Sequence, residues 1–296
     1  MKIKTWFYET RPQFLLLSPV LAFLGTSMAL YDGFFDLGHA LMASIGLVAA
    51  HTSVNTLNDY FDYRSGIDLE AERTPFSGGS GILPAGLLKP RQVLYFGLAC
   101  FLLALPIGIY FVVVRGLLLL PLIVVGAVCV LFYTPIITRV PWPEWAPGAG
   151  LGALPVLGFY YIQTGAYTFP AVLASIPSGI LVHNLLLLNE FPDVEADRNA
   201  GRKTLPIVLG EREASLVYSA STLAVYLWII CGVVAGHIPT FCLIALLTLP
   251  FAGKAIKGAL KHGERSKLLP AMGSNVIVVL LTQLLMGVGY VLAAIM

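Results

Sequence analysis

The hydrophobic residues of this chain fall neither in alternation nor in narrow stripes; they run. Nine stretches of mostly apolar residues lie near 13–31, 38–60, 92–114, 116–135, 148–165, 169–191, 213–236, 238–256 and 272–295. Each is close to the ~20 residues that a helix needs to cross a bilayer core, and each is bounded by charge or by Pro and Gly. The fifth and eighth runs are the weakest. This pattern predicts an all-α integral membrane protein with nine transmembrane helices. The first residues, MKIKTWFYETRPQF, lack the small-residue cleavage site of a signal peptide. Their aromatic Trp6, Phe7 and Tyr8 with basic Lys2, Lys4 and Arg11 predict an interfacial helix instead.

Composition agrees with the runs. Apolar residues make up 57% of the 296 and charged residues only 11%, against about 25% in soluble domains, so a soluble globule and a disordered chain are both excluded. The net charge of +2 gives no reason to expect a nucleic-acid partner. Cys100, Cys129, Cys231 and Cys242 sit inside apolar runs without metal-knuckle or disulfide spacing and read as reduced packing residues. Placement of charge says more than its amount. With nine spans, every Lys and Arg except Arg115 falls on one side, which the preference of basic residues for cytoplasmic loops makes the cytoplasm. The N-terminus is then cytoplasmic, and the protein is a multi-pass component of the cell membrane.

All acids except Asp32 and Asp36 share that side, and they gather in two clusters. The first runs off the second span, from His51 through Asn55, Asn58, Asp59 and Asp62 to Asp68. At about 100° per residue, His51, Asn55, Asn58, Asp59 and Asp62 fall within an arc of about 100° and form a polar stripe on an otherwise apolar helix. The second ends the sixth span with Asn189, Glu190, Pro192, Asp193, Glu195 and Asp197, followed by Gly201-Arg202-Lys203-Thr204. Asn58-Asp59-Tyr-Phe-Asp62 aligns with Asn189-Glu190-Phe-Pro-Asp193. This match predicts a duplicated four-helix unit: one polytopic domain over 1–296, with a first repeat at 1–140 (cap loop 61–91), a second at 141–256 (cap loop 192–212), and a loop and ninth helix at 257–296. Pro192 predicts a break at about 188–192. Asp and Asn offer only oxygen ligands, which suit Mg²⁺ rather than zinc. Two facing acid clusters rimmed by Arg64, Arg73, Arg198, Arg202 and Lys203 fit a metal-bridged diphosphate. Taken singly, either cluster is equally well a set of weak surface ion pairs; their repetition at membrane depth argues for function.

Arg11-Pro12, the Asn58–Asp68 segment, Tyr133-Thr134-Pro135, and Asp193–Asp197 with Gly201-Arg202-Lys203-Thr204 together resemble the UbiA family of intramembrane aromatic prenyltransferases. The resemblance implies a nine-helix ring around a central cavity, capped by the loops after the second and sixth helices. It implies Mg²⁺-dependent transfer of a polyprenyl group from its diphosphate to an aromatic acceptor, with the bilayer as a further partner. Gly66 displaces the third acid of the first motif to Asp68. This variant, with Asn55 upstream and Gly78-Gly79-Ser80-Gly81 downstream, resembles the branch that prenylates 1,4-dihydroxy-2-naphthoate in menaquinone synthesis. The metal ligands it implies are Asn58, Asp62, Asp68, Asp193 and Asp197. The diphosphate would meet Arg11, Arg73, Tyr133, Arg139, Arg202 and Lys203, and the acceptor Asn55, Ser80 and Asn189. Asp59 and Glu190 are the two candidates for taking a proton, and the sequence does not choose between them.

Other acceptors stay open: 4-hydroxybenzoate, homogentisate, haem, a chlorin or an ether-lipid precursor. A membrane transporter is the rival of a different class. Its polar helix breaks belong near midplane, whereas these acids lie at helix ends.

Overall fold

The structure, a computed structural model, describes residues 2–71 and 73–296. The Lys2 side chain, and Glu72 in the expected cap loop 61–91, lie outside the described residues. The chain is all helical: α1 (Lys2–Glu9), α2 (Pro12–Tyr31), α3 (Leu37–Ser65), α4 (Pro90–Arg115), α5 (Leu117–Phe132), α6 (145–164), α7 (Phe169–Asn189), α8 (Glu211–Val234), α9 (Thr240–Ala259) and α10 (Arg265–Ile295). Among the described residues, seven helices are long and apolar enough to cross a bilayer, the seventh-expected run counting within Glu211–Val234 and the sixth within Phe169–Asn199. The two expected spans that fall short are informative. α5 is apolar but short. α6 is interrupted by a π turn at Ala149–Ala153, where Leu151 leaves helical geometry at φ −121°, ψ 19°.

The elements start and stop where local chemistry requires. Asp36 caps α3 by accepting from the His39 amide at 2.9 Å, and Gly66 ends it at φ +89°, a conformation open to glycine. α1 is helical, as the sequence predicts. Ile3, Phe7 and Tyr8 are exposed, while Trp6 packs on Phe96 of α4 with ring centroids 4.9 Å apart. α4 turns Leu102, Leu103, Ile109 and Val113 outward, as a helix facing lipid must.

Helix association in lipid relies on close packing, and small residues supply it. A Cβ on Gly152 would stand 2.7 Å from the Ser178 carbonyl oxygen, and one on Gly148 2.9 Å from that of Gly179. This Gly-x-x-x-Gly face seats α6 against α7. The largest buried cluster joins α2, α6, α7, α8, α9 and α10 through Leu21, Leu24, Val156, Leu181, Ile229 and Met286. At the end of the bundle opposite the acid clusters, Asp36 and Gln163 exchange hydrogen bonds of 2.6 and 3.0 Å, and Arg115 donates to His39 at 2.8 Å.

Candidate active site

Three chain breaks assemble the site. After Gly66, the short helix Ile67–Glu70 turns Asp68 inward. α7 stops at Asn189; a 3₁₀ turn at Phe191–Asp193 contains Pro192, which has no amide hydrogen to continue the helix, and Val194–Asn199 follows. The break falls where Pro192 predicts it and brings Asp193 and Asp197 to face α3. Gly201 then turns at φ +80°, which sends Arg202 back into the site.

Arg202 is the centre of the arrangement. One guanidinium nitrogen binds Asp62 and another binds Asp197 at 2.9 Å, so a single, largely buried cation ties the two acid clusters together. Asn58 donates to Asp62 at 3.0 Å and to Thr134 at 3.1 Å, and Arg11 reaches Asn58 at 3.4 Å. Asp193 accepts from the Gly78 amide at 3.2 Å. The Asp68 carboxylate sits where a Cβ on Gly79 would lie, so the left-handed Gly78-Gly79 turn closes over it. Burial, together with Asp59 and Asp62, pushes the Asp68 carboxyl up to about 8.

Among the described residues, no three His, Cys, Asp or Glu groups already enclose a metal; the guanidinium of Arg202 stands between the carboxylates instead. The donor set nevertheless fits a hard cation. Asp68 Oδ2, Asp193 Oδ1 and Asn189 Oδ1 are buried with no hydrogen-bond partner, and unpaired buried oxygens are what an oxygen-seeking ion would satisfy.

A cavity of about 1300 Å³, partly open to solvent, holds these groups. Its walls come from α2, α3, α5, α6 and α7 with the two loops, not from all nine expected spans. Arg11, Asn55, Asn58, Asp62, Asp68, Tyr133, Asn189, Glu190, Asp193, Asp197 and Arg202 all line it. Five of the expected residues lie outside this lining. Asp59 is absent from the lining: at the edge of the polar stripe, it turns aside to accept from the Ser80 amide at 2.9 Å and faces Arg11 at 3.8 Å. Ser80 faces the same way, its hydroxyl donating to Glu9 at 3.0 Å. Arg73 is exposed, bonds the Ser80 carbonyl and lies over Gly81 on the outer face of the cap loop. Arg139 and Lys203 are exposed outside the cavity; Lys203 contributes its backbone, donating to the Thr138 carbonyl at 2.8 Å.

Sequence reasoning missed Glu9 and Glu144, both fully buried. The signal for Glu144 was an acid between two prolines in an apolar stretch, and for Glu9 an acid among basic and aromatic neighbours. Burial, with Asp59 nearby, pushes the Glu9 carboxyl up to about 8, while the Ser80 hydroxyl pulls the other way. A raised folded pKa means that the native state holds this proton more tightly than the unfolded chain. The stability it contributes is present in acid and is lost as pH rises from the ordinary value through about 8. Glu9→Gln should therefore melt like the parent near about pH 5 and higher than the parent near about pH 9. Thermal unfolding in detergent checks this; a parent-like melting curve at both pH values would contradict it.

Beyond the polar mouth the cavity meets a second, apolar chamber of about 980 Å³ at Gly126, Val130, Gly150 and Leu151. Phe101, Ile107, Phe111, Leu122 and Phe159 line it, and Leu151 of the π turn borders both spaces. A head of carboxylates and guanidinium thus opens onto an oily tail space.

A model described as the UbiA prenyltransferase family matches residues 16–272. The chain is 30% identical over 269 residues to the 1,4-dihydroxy-2-naphthoate octaprenyltransferase of Bacillus subtilis (strain 168), covering 90% of this chain and 85% of that protein. Its fold matches the apo UbiA homolog from Aeropyrum pernix K1 with a TM-score of 0.68 at 19% identity, over 94% of this chain and 97% of that one. It also matches the UbiA homolog from Archaeoglobus fulgidus bound to GPP and Mg²⁺, with a TM-score of 0.63 at 12% identity, over 97% and 99%. The polar mouth, the oily chamber and these likenesses have one reading: the chain belongs to the UbiA prenyltransferase family, as a multi-span membrane enzyme that transfers prenyl groups.

Proposed function

We propose that this enzyme transfers a polyprenyl group from its diphosphate to 1,4-dihydroxy-2-naphthoate, in a Mg²⁺-dependent step of menaquinone synthesis. The observation that carries the reading is the two-part cavity, because a prenyl diphosphate is an anionic head on an apolar tail and matches both parts. The acceptor follows the Bacillus relative, which is named for it, and the metal and diphosphate follow the Archaeoglobus homolog, described as bound to GPP and Mg²⁺.

In this reading α5 and the broken α6 complete a nine-helix ring of two repeats, with the N-terminus and the polar mouth at the cytoplasmic face. Asn58, Asp62, Asp68, Asp193 and Asp197 hold Mg²⁺, which supplies Lewis-acid stabilisation of the charge growing on the departing diphosphate. Arg202, freed from its carboxylates, and Arg11 and Tyr133 take the remaining diphosphate oxygens. The apolar wall keeps water from the allylic carbon as the C–O bond opens. Asn55 and Asn189 orient the aromatic ring, whose electron-rich carbon attacks the allylic carbon and then gives up its proton, while the naphthoate carboxylate leaves as carbon dioxide and a proton takes its place on the ring. Glu190 rather than Asp59 is the proton-handling group, since Glu190 borders the cavity and Asp59 is spent on Ser80 and Arg11.

Purified protein with Mg²⁺ and labelled geranylgeranyl diphosphate, offered dihydroxynaphthoate, 4-hydroxybenzoate and homogentisate separately, tests this. Labelled product is expected with dihydroxynaphthoate alone, and none after chelation of Mg²⁺ or with Asp62→Ala. Product with another acceptor and none with dihydroxynaphthoate would overturn the acceptor assignment.

A further inference from the structure

We propose that His51 is a specificity residue for the acceptor: its Nε2–H donates to the free ring hydroxyl of a hydroxyarene carboxylate, and Asn55 Oδ1 accepts that hydroxyl's own proton. The choice of arene rests on the proposed naphthoate transfer, whereas the donor and acceptor side by side on α3 do not. Both residues line the cavity. Along the α3 axis His51 lies about 6 Å beyond Asn55 and about 10 Å beyond Asn58. That places it past the level of the metal ligands, next to Ala50 of the apolar chamber.

The imidazole is held from behind. His51 is buried, and its Nδ1 meets the hydroxyl of Ser18 on α2, itself buried, at 2.9 Å. Among the described residues that hydroxyl has no other hydrogen-bond partner, so Ser18 donates, Nδ1 accepts and the ring proton sits on Nε2. Nε2 has no partner among the described residues, yet it is not one of the enclosed polar atoms left unpaired. This edge of the ring therefore opens onto the cavity. Asn55 is arranged in the same way. Its amide nitrogen donates to the Thr10 carbonyl at 3.0 Å, which leaves Oδ1 open and without a partner among the described residues. Side chains four residues apart on a helix start about 6 Å from one another, close enough for one hydroxyl to bridge.

A tie between α2 and α3 accounts for Nδ1 but not for Nε2. The facing wall is apolar: α2 contributes Phe14 and Leu17, and α7 contributes Val182, Leu185 and Leu186 before Asn189. An N–H left unpaired against such a wall is costly, and a ligand hydroxyl removes the cost. In 1,4-dihydroxy-2-naphthoate the 1-hydroxyl is ortho to the carboxylate and bonds it internally, so the 4-hydroxyl is the one free to pair. An arene without it leaves both His51 and Asn55 unsatisfied.

Calorimetric titration and steady-state kinetics on the full-length protein test the contact. His51→Asn keeps an oxygen to accept from Ser18 but removes the Nε2 donor; His51→Gln places an amide NH₂ near the Nε2 position. His51→Asn should weaken binding of dihydroxynaphthoate and raise its KM about tenfold, with KM for the prenyl diphosphate unchanged, and His51→Gln should recover most of that loss. The parent should bind 1-hydroxy-2-naphthoate at least about tenfold more weakly than dihydroxynaphthoate, and His51→Asn should bind it no more weakly than the parent does. Equal losses for the two naphthoates in His51→Asn, or a diphosphate KM raised as far as the acceptor KM, would overturn the contact and leave His51 as a helix tie. If His51→Asn does not fold, a parent that binds both naphthoates equally would overturn it. An enzyme that prenylates 4-hydroxybenzoate and not the naphthoate would defeat the acceptor assignment alone, and the same His51-dependent difference would then separate 4-hydroxybenzoate from benzoate.

Discussion

Arg202→Ala is expected to cost this enzyme both stability and turnover. The side chain is the one cation that bonds both Asp62 and Asp197 among the described residues; both carboxylates are buried and the guanidinium is largely so. Removing one partner of a buried ion pair leaves its carboxylates desolvated and unpaired, at about 3–5 kcal/mol. Catalysis should suffer separately. A guanidinium aimed at the departing diphosphate stabilises charge that exists mainly in the transition state, and loss of such a donor typically lowers kcat by about 10²–10³-fold. Arg202→Lys should rescue little, because an ammonium lacks the planar fork that spans two carboxylates. Thermal unfolding in detergent should also show that Mg²⁺ raises the melting temperature of Arg202→Ala more than that of the parent, since the ion and the guanidinium answer the same negative charge. Parent-like melting and turnover in Arg202→Ala would show that the bridge is dispensable.

Asp193→Ala should separate the two effects that Arg202 combines. Asp193 Oδ2 accepts a single backbone hydrogen bond from Gly78, and Oδ1 is buried without any partner. Such a group contributes little to folding and charges the native state for its desolvation. The variant should therefore be as stable as the parent, or more so. Turnover should fall by at least about 10³-fold if Oδ1 is a metal ligand, with a weaker dependence on Mg²⁺ concentration. Asp193→Asn keeps an oxygen for the Gly78 amide but gives up the charge, so it should hold the cap loop and still lose most activity. Calorimetric titration of Mg²⁺ into parent and variant, without substrate, checks the ligand assignment independently of turnover. An Asp193→Ala enzyme within about tenfold of the parent would remove this residue from the metal site.

Much of the architecture was legible along the chain because its causes are local. A run of some twenty apolar residues has one low-energy arrangement in lipid, so the spans could be placed from hydropathy. Pro192 and Gly66 end helices through backbone chemistry that needs no neighbour. The polar stripe from His51 to Asp62 follows from helical periodicity, and even the exception obeys it: Asp59 lies at the edge of the stripe and turns out of the cavity. Less legible was the break in α6, which depends on glycines that fit against Ser178 and Gly179 of another helix.

What the sequence determined by itself, then, was the solvent, the approximate spans and the two segments that hold the acids. The tertiary structure alone decided which charges meet. Arg73, Arg139 and Lys203 are expected at the diphosphate alongside Arg202, yet of these four only Arg202 lines the cavity. Glu9 and Glu144 carry no motif, yet both are drawn into the interior, one by Ser80 and the other by the Leu205 amide. The physical reason is one of range. Desolvation and backbone hydrogen bonding act on neighbours in sequence, whereas a buried charge is tolerated only where distant segments supply its partner, and that pairing exists only once the helices have packed.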